Sequence, residues 1–193
     1  MDKKKVIFYV GPVGAGKTER LIQDINKNDD EKKIIIKSVI DTRAGEGFIS
    51  THNYLVDPVN YAHEKIKATY KTNLLMPLLS TEEFLEDIAE LKTVYIDEGQ
   101  FFADLNDFVF YVGEVANIHV ATLDKDWKRD YFPAIKKCQN ESIEWVQLYA
   151  ECDKCNSKNA VYSYKKTEIA IDGFLVGGSE TYGAICENCD KNE

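Results

Sequence analysis

Arginine is scarce in this chain, and long apolar segments are missing from it. Only three of the 24 basic residues are arginines, namely Arg20, Arg43 and Arg129. The arginine side chain is the planar fork that grips phosphate at two oxygens, so three of them offer little capacity to clamp two polyphosphate ligands at once. This scarcity argues against an enzyme whose acceptor is itself a nucleotide, such as a nucleoside monophosphate kinase.

The chain also lacks any apolar run near the roughly 20 residues that a membrane helix needs, and its first residues lack the apolar stretch and cleavage site of a secretory signal. We therefore expect a soluble, cytoplasmic protein with no membrane partner. Its 33 acidic residues against 24 basic ones give a net charge of −9. That balance argues against a surface that neutralises nucleic acid phosphates, so no nucleic-acid partner is expected.

The 193 residues, 44% of them hydrophobic, suffice for one sizeable core and a small appended module. Short β-branched runs predict strands at 6–10, 34–36, 94–96 and 118–122. Helical spacing predicts helices at 19–26, 81–90 and 105–115, and the polar stretch 41–53 is predicted to be a loop. The alternation predicts an α/β fold with a mostly parallel sheet flanked by helices, whose ligands bind at the carboxyl ends of the strands.

The helix predicted at 81–90 has two local signals. Ser80 followed three residues later by Glu83 matches a capping box at its start. Its apolar residues form one stripe that is expected to be buried: Phe84, Leu85, Ile88 and Leu91.

Residues 11–18 match the P-loop pattern G-x-x-x-x-G-K-[ST] in full, after a predicted strand and before a predicted helix. They are Gly11, Pro12, Val13, Gly14, Ala15, Gly16, Lys17 and Thr18. Glycines let consecutive backbone N–H groups converge on phosphate oxygens, and the helix N-terminus adds its dipole. The lysine can reach the β- and γ-phosphates, and the threonine hydroxyl can bind Mg²⁺. The pattern predicts a site for MgATP.

A second acidic motif follows the predicted strand 94–96, where Asp97 and Glu98 stand next to each other. A P-loop needs a carboxylate for its metal ion, and Asp97 is the candidate. Glu98 could then accept the proton of an attacking hydroxyl. Transfer to that hydroxyl, rather than to water, separates a kinase from an ATPase.

Four of the five cysteines form two C-x-x-C pairs, Cys152 with Cys155 and Cys186 with Cys189. Four thiolates at this spacing are the tetrahedral ligand set of a closed structural Zn²⁺ site. The remaining Cys138 is predicted to be a small buried residue. We place a domain boundary near residue 150, with a P-loop α/β domain at 1–150 and a zinc-binding module at 151–193.

The metal would pin together the ends of the loop 156–185. Gly177 and Gly178 allow close backbone approach to a ligand, and Tyr182 offers an aromatic contact. A glycine hairpin with a core tyrosine explains the same residues equally well on spacing alone.

Taken in order along the chain, the motifs resemble those of the type II thymidine kinases over nearly the whole length. Beyond the P-loop and the four cysteines, the resemblance rests on the D-T-R at 41–43, T-H at 51–52, the Y-I-D-E-G-Q-F-F at 95–102, L-D at 123–124 and V-G-G at 176–178 with Tyr182. The combination of D-E-x-Q-F-F with a P-loop and a Cys₄ module distinguishes that family.

The resemblance implies a fold, an activity and residue roles. A type II thymidine kinase transfers the γ-phosphoryl group of MgATP to the 5′-hydroxyl of a pyrimidine deoxynucleoside, and the family suggests a homotetramer. Glu98 would be the general base, Asp41 would accompany the metal ion with Asp97, and Arg43 would place positive charge near the transferring group. A lasso loop would close over the base. The nucleoside-contacting set implied is Phe101, Leu123, Trp127, Phe132, Ser163, Val176, Gly177, Gly178 and Tyr182.

Departures from the family pattern leave the base open. Val13 is smaller than the methionine usual there, Trp127 stands in place of phenylalanine, and Ser163 in place of threonine. Thymidine is the first expectation, with deoxyuridine and 5-substituted analogues as alternatives.

The rival interpretation is a P-loop ATPase whose zinc module binds a protein or single-stranded nucleic acid. It predicts basic and aromatic residues interleaved on that module, yet residues 151–193 hold eight acidic residues, five lysines and no arginine. A non-catalytic relative is disfavoured because Lys17, Thr18, Asp97 and Glu98 are all present.

Overall fold

A computed structural model describes residues 4–27, 32–51, 64–90, 93–139, 143–166 and 181–191. Its centre is a six-stranded sheet in the order β5-β2-β6-β7-β1-β8, with every neighbouring pair parallel. The strands are β1 (Val6–Val10), β2 (Lys33–Ser38), β5 (Tyr70–Thr72), β6 (Thr93–Ile96), β7 (Ile118–Thr122) and β8 (Ile143–Gln147). The predicted α/β architecture is confirmed.

Helices cover both faces of the sheet, and alternate strand residues point to opposite faces. The helices are α1 (Lys17–Lys27), α2 (Glu82–Ala89), α3 (Leu105–Val112), α4 (Pro133–Lys137) and α5 (Glu187–Asp190). On one face, Tyr9, Ile35 and Tyr95 pack with Leu21 and Ile22 of α1. The other face forms the larger core with α3 and α4. Both faces of the sheet are therefore buried, as a parallel sheet requires.

Two small antiparallel pairs lie outside the main sheet. The first joins β3 (Phe48–Ser50) to β4 (Lys65–Lys67), and the second joins β9 (Tyr162–Lys165) to β10 (Tyr182–Ile185). The predicted loop 41–53 is therefore interrupted by a strand, since the β-branched and aromatic residues at 48–49 pair with 66–67. Within the described residues, no helix is long and apolar enough to cross a membrane.

The start of α2 corrects the capping-box prediction. Ser80 ends a 3₁₀ turn (Met76–Ser80), and the residue that precedes α2 is Thr81, whose side chain does not cap the helix. The Thr81 hydroxyl donates instead to the Leu78 carbonyl at 2.8 Å, so the capping position is shifted by one residue. Leu85 is 51% exposed rather than buried, because the buried face of α2 is narrow and centred on Phe84. Leu91 lies outside the described residues. Cys138 is fully buried, as predicted.

Candidate active site

The P-loop connects β1 to α1 at the carboxyl edge of the sheet. Gly14 and Gly16 adopt φ values of 78° and 76°, a left-handed backbone that glycine reaches without a Cβ clash. The Lys17 ammonium donates to the Pro12 carbonyl at 2.7 Å and so closes the loop on itself. Burial lowers the pKa of Lys17 to about 8, against the opposing effect of the Glu98 charge. A phosphate group bound in the loop would add negative charge beside the Lys17 ammonium and so favour its charged form.

Gly11 is required for a different reason, namely space. A β-carbon on Gly11 would lie 2.5 Å from the carbonyl oxygen of Leu148, too close for any other residue. Leu148 directly follows β8, and its N–H donates to the Val10 carbonyl at 2.7 Å. The first residue of the P-loop is therefore packed against the end of the neighbouring edge strand.

Thr18 and Asp97 meet across the mouth of the loop. The Thr18 hydroxyl donates to Asp97 Oδ1 at 2.8 Å, and Asp97 is 3% exposed at the end of β6. Burial, with the nearby charge of Glu98, raises the pKa of Asp97 to about 7. A hydroxyl and a carboxylate in contact at this point are the two protein groups that hold Mg²⁺ in P-loop proteins.

Glu98 adopts a left-handed backbone with φ 54° and ψ 49°, which is uncommon outside glycine and is characteristic of strained functional positions. Its two carboxylate oxygens accept hydrogen bonds from Arg43 Nη2 and from Gln100 Nε2. The Gln100 side-chain oxygen accepts from the Thr122 hydroxyl and the Leu123 N–H, each at 3.0 Å. The orientation of the Gln100 amide is thereby fixed, with its NH₂ group facing Glu98.

Asp41 completes an acidic cluster at the same edge. Its Oδ1 accepts from Arg43 Nε at 2.7 Å, and although burial opposes ionisation, the Arg43 guanidinium lowers the pKa of the Asp41 carboxyl. Carboxylate oxygens of Asp41, Asp97 and Glu98 all lie within 4.8 Å of one another. Three carboxylates this close can hold a cation, and Asp97 directly contacts the P-loop threonine.

The residues predicted to contact a nucleoside are brought only partly together. Leu123 and Phe101 follow β7 and β6 at the same sheet edge, and Gln100 links their segments. Ser163 Oγ accepts a hydrogen bond from the Val13 N–H at 3.0 Å, so β9 touches the P-loop.

The other predicted contact residues differ in how deeply they are buried. Phe132 packs partly against the main core, and Tyr182 is buried on β10. Trp127 is 38% exposed, with the Lys128 and Lys165 ammonium groups over its ring at 5.2 and 5.7 Å. Val176, Gly177 and Gly178 lie outside the described residues, as does His52.

The four paired cysteines converge, and their sulfur atoms lie within 4.8 Å of one another. Cys155 Sγ and Cys186 Sγ are 3.8 Å apart, close to the roughly 3.8 Å edge of a tetrahedron with Zn–S bonds of about 2.3 Å. Burial opposes ionisation of Cys152, but hydrogen bonds from backbone N–H groups, led by that of Cys186, lower the pKa of its thiol to about 6. The geometry and the donors fit a metal ion, and the small core around these residues consists largely of alanine and cysteine.

Three residues at this edge were not assigned roles from the sequence. Gln100 lies within the quoted D-E-x-Q-F-F motif, so a signal existed. Lys37 is 1% exposed, and its ammonium donates to the Phe48 carbonyl at 2.6 Å and lies 4.0 Å from Asp41 Oδ2. A charged residue that continues a buried strand toward the ligand edge was the available signal. Arg129 had no local signal at all.

A P-loop at the carboxyl edge of a parallel sheet, facing a buried aspartate that contacts its threonine, defines a P-loop nucleoside-triphosphate-binding protein. The sequence model of the family "Thymidine kinase" matches residues 4–190. The thymidine kinase of raccoon poxvirus is 31% identical over 196 residues, covering 100% of both chains. That of vaccinia virus strain Ankara is 32% identical, covering 98% of both, and that of African swine fever virus strain Badajoz 1971 is 30% identical, covering 97% of this chain and 89% of its own. The chain belongs to the thymidine kinase family, and the family resemblance of its motifs is confirmed.

Among solved structures, a Pif1 helicase chain at forked double-stranded DNA aligns with a TM-score of 0.33 and 15% identity. It covers 64% of this chain and 31% of that one. A likeness this weak adds nothing to the assignment.

Proposed function

We propose that this chain transfers the γ-phosphoryl group of MgATP to the 5′-hydroxyl of thymidine, giving ADP and thymidine 5′-monophosphate. The observation that carries the proposal is the position of Glu98. Its carboxylate lies beside the Asp97 carboxylate that contacts the P-loop threonine, and this arrangement supports a base next to the proposed site of the γ-phosphoryl group. Family membership supports the same reaction.

The P-loop binds the phosphates of ATP in this proposal. Backbone N–H groups of residues 14–18 and the N-terminus of α1 face the phosphate oxygens. Lys17 exchanges its hydrogen bond to the Pro12 carbonyl for one to the triphosphate. Thr18 and Asp97 hold Mg²⁺, with Asp41 close by. The ion supplies positive charge that stabilises the phosphoryl group during transfer.

Glu98 accepts the proton of the nucleoside 5′-hydroxyl as that oxygen attacks phosphorus. Proton transfer to a positioned side chain contributes about 10²–10⁴-fold to a rate. Gln100 orients the carboxylate through the hydrogen bond described above. Arg43, held between Asp41 and Glu98, supplies positive charge to the oxygens of the transferring group.

The nucleoside is proposed to lie between the P-loop and the loops that follow β6 and β7. Phe101, Leu123, Trp127 and Phe132 provide apolar contact with the base and sugar, and Ser163 and Tyr182 approach from the cysteine-bearing segment. The contributions of Val176, Gly177 and Gly178 to the lasso stay predictions. The small Val13 and Ser163 leave deoxyuridine and 5-substituted analogues as alternative substrates.

We further propose that Cys152, Cys155, Cys186 and Cys189 hold a structural Zn²⁺. Four thiolates leave no open position, so the ion would stabilise the segment after residue 150 rather than take part in the reaction. The division into domains at 1–150 and 151–193 belongs to this proposal. The same proposal includes a cytoplasmic homotetramer and the absence of a nucleic-acid partner. Sedimentation velocity of the zinc-loaded protein, with and without single-stranded DNA, tests the oligomer and that absence together.

The reaction is tested with purified protein, MgATP and a panel of thymidine, deoxyuridine, deoxycytidine and uridine, following each 5′-monophosphate directly. We expect thymidine monophosphate from the native chain and a loss of about 10²–10⁴-fold in kcat for Glu98→Gln. Glu144→Gln, an exposed glutamate on β8, is the matched control and should retain activity. Hydrolysis of ATP without phosphorylation of any nucleoside would favour the P-loop ATPase instead.

A further inference from the structure

Arg129 joins segments that are far apart in the sequence, and every part of its guanidinium group is engaged. Its Nη1 donates to the carbonyls of Trp127 at 2.9 Å and Ser163 at 2.5 Å. Its Nε and Nη2 edge faces both carboxylate oxygens of Asp190. The guanidinium carbon lies 4.6 Å from the centre of the Tyr162 ring. A planar fork that binds a carboxylate on one edge and stacks on an aromatic ring is a specific arrangement that lysine cannot reproduce.

The turn that carries Arg129 is built to present it. Asp126 Oδ1 accepts hydrogen bonds from the N–H groups of Lys128 and Asp130, at 2.8 and 3.0 Å. Arg129 itself has a φ of 75°, in the left-handed region that glycine and asparagine occupy far more readily than arginine. The hydrogen bonds of the turn and the side-chain contacts of Arg129 together hold this unfavourable backbone.

The partners of Arg129 connect it to both ends of the proposed site. Asp190 directly follows Cys189, one of the four clustered cysteines. Ser163 is the residue whose hydroxyl accepts the Val13 N–H of the P-loop. A hydrogen-bonded path therefore runs from the cysteine cluster through Asp190, Arg129 and Ser163 to the P-loop.

We infer that Arg129 and Asp190 are positioning residues that hold the cysteine-bearing segment against the P-loop, and so fix the nucleoside side of the site. This inference rests on the proposed function. Arg129 acts through Ser163 and Trp127 and takes no part in the chemical step. The Val13 N–H is already occupied by Ser163 Oγ, and the phosphate-facing N–H groups follow it in the loop. Loss of Arg129 therefore affects nucleoside binding more than ATP binding.

The test uses the zinc-loaded full chain with Arg129→Asn, Asp190→Asn and the double variant. Asparagine is chosen for position 129 because it tolerates the left-handed backbone, so that only the side-chain contacts are lost. Lys191→Ala, an exposed neighbour of Asp190, is the control. We expect KM for thymidine to rise about tenfold or more in Arg129→Asn, with kcat and KM for ATP changed by less than about threefold. The double variant should be no worse than Arg129→Asn alone, because both changes break one linkage.

Hydrogen exchange without nucleoside provides a second readout that does not depend on activity. Amides of 150–166 and 181–191 should exchange faster in Arg129→Asn and Asp190→Asn than in the native chain or in Lys191→Ala. Unchanged exchange, or an active variant whose KM for thymidine stays native, would overturn the inference. A fall in kcat accompanied by similar rises in KM for thymidine and KM for ATP would also overturn it, because that pattern indicates general damage to the protein. Faster exchange in a chain whose native form phosphorylates no nucleoside would support the linkage while rejecting the proposed function.

Discussion

Replacing Asp97 with asparagine should make the ligand-free protein more stable above pH 7, although it removes a residue proposed to hold Mg²⁺. Burial, followed by the nearby Glu98 charge, raises the pKa of this carboxyl from 3.8 to about 7. Between these two pH values the folded chain keeps a proton that the unfolded chain has released. Stability from this group is therefore fully present below about pH 4 and is lost as pH rises toward 7.

The size of the effect follows from the shift. One pKa unit corresponds to about 1.4 kcal/mol, so a shift of about three units gives at most about 4 kcal/mol. Asparagine has the shape of the protonated carboxyl, and its oxygen can still accept the Thr18 hydroxyl bond. The free energy of unfolding of Asp97→Asn, relative to the native chain, should rise by up to about 1.4 kcal/mol per pH unit between pH 5 and 7 and then level off.

The assay is urea unfolding followed by circular dichroism from pH 5 to 8.5, in zinc-loaded protein free of magnesium and nucleotide. Asp41→Asn is a matched control of opposite sign. Arg43 lowers the pKa of Asp41 below its usual 3.8 despite burial. The stability from this carboxylate is lost only below about pH 4, so Asp41→Asn should destabilise the protein by a constant amount from about pH 5 to 8.5. MgATP should stabilise the native chain and do little for Asp97→Asn. A difference between native and Asp97→Asn that does not vary with pH, or a variant less stable at pH 8, would refute the reasoning.

Three further outcomes are expected. Cys155→Ser should lose zinc from the purified chain, as measured by metal analysis, whereas Cys138→Ala should keep it because Cys138 is buried outside the cluster. Gln100→Leu removes the donor to Glu98 and leaves the Leu123 N–H without its acceptor. The value of kcat should fall with little change in either KM. The free energy of unfolding, measured by thermal unfolding, should fall by about 1–3 kcal/mol. Thymidine should quench the fluorescence of Trp127, the tryptophan that remains in Trp145→Phe. It should not quench that of Trp145, which remains in Trp127→Phe and packs on Phe8 in the sheet. Quenching in Trp127→Phe would place the base elsewhere.

The parts of the fold predicted from the sequence are those with a local cause. The P-loop, the apolar strands β1, β2, β6 and β7 and helices α1 to α3 each carry their signal within a dozen residues. Strands β5 and β8 were not predicted, because β5 spans only three residues and β8 mixes charged and polar residues with apolar ones. Their positions depend on pairing with the neighbouring strands β2 and β1, and local periodicity carries no information about such pairing.

The candidate site likewise contains residues that local motifs indicate and contacts that form only between segments distant in the sequence. Thr18, Asp97 and Glu98 follow from motifs, since each lies at the end of a recognisable strand or loop. The contact of Arg129 with Asp190 spans 61 residues in the sequence and depends on a left-handed residue in a turn, so no local pattern indicates it. Ser163 was named only through the family resemblance, and no local pattern indicates that its hydroxyl accepts the Val13 N–H across 150 residues.

The tight packing of Gly11 on Leu148 also determines when the phosphate site can form during synthesis. A nascent chain that stops short of Ile143 already contains the whole P-loop motif, yet it lacks the strand that flanks β1 on one side and the carbonyl against which Gly11 closes. Translation is vectorial, and domains fold largely as units as the chain emerges. The P-loop therefore becomes able to hold a nucleotide only after the chain has been made through Leu148, long after its own residues have emerged.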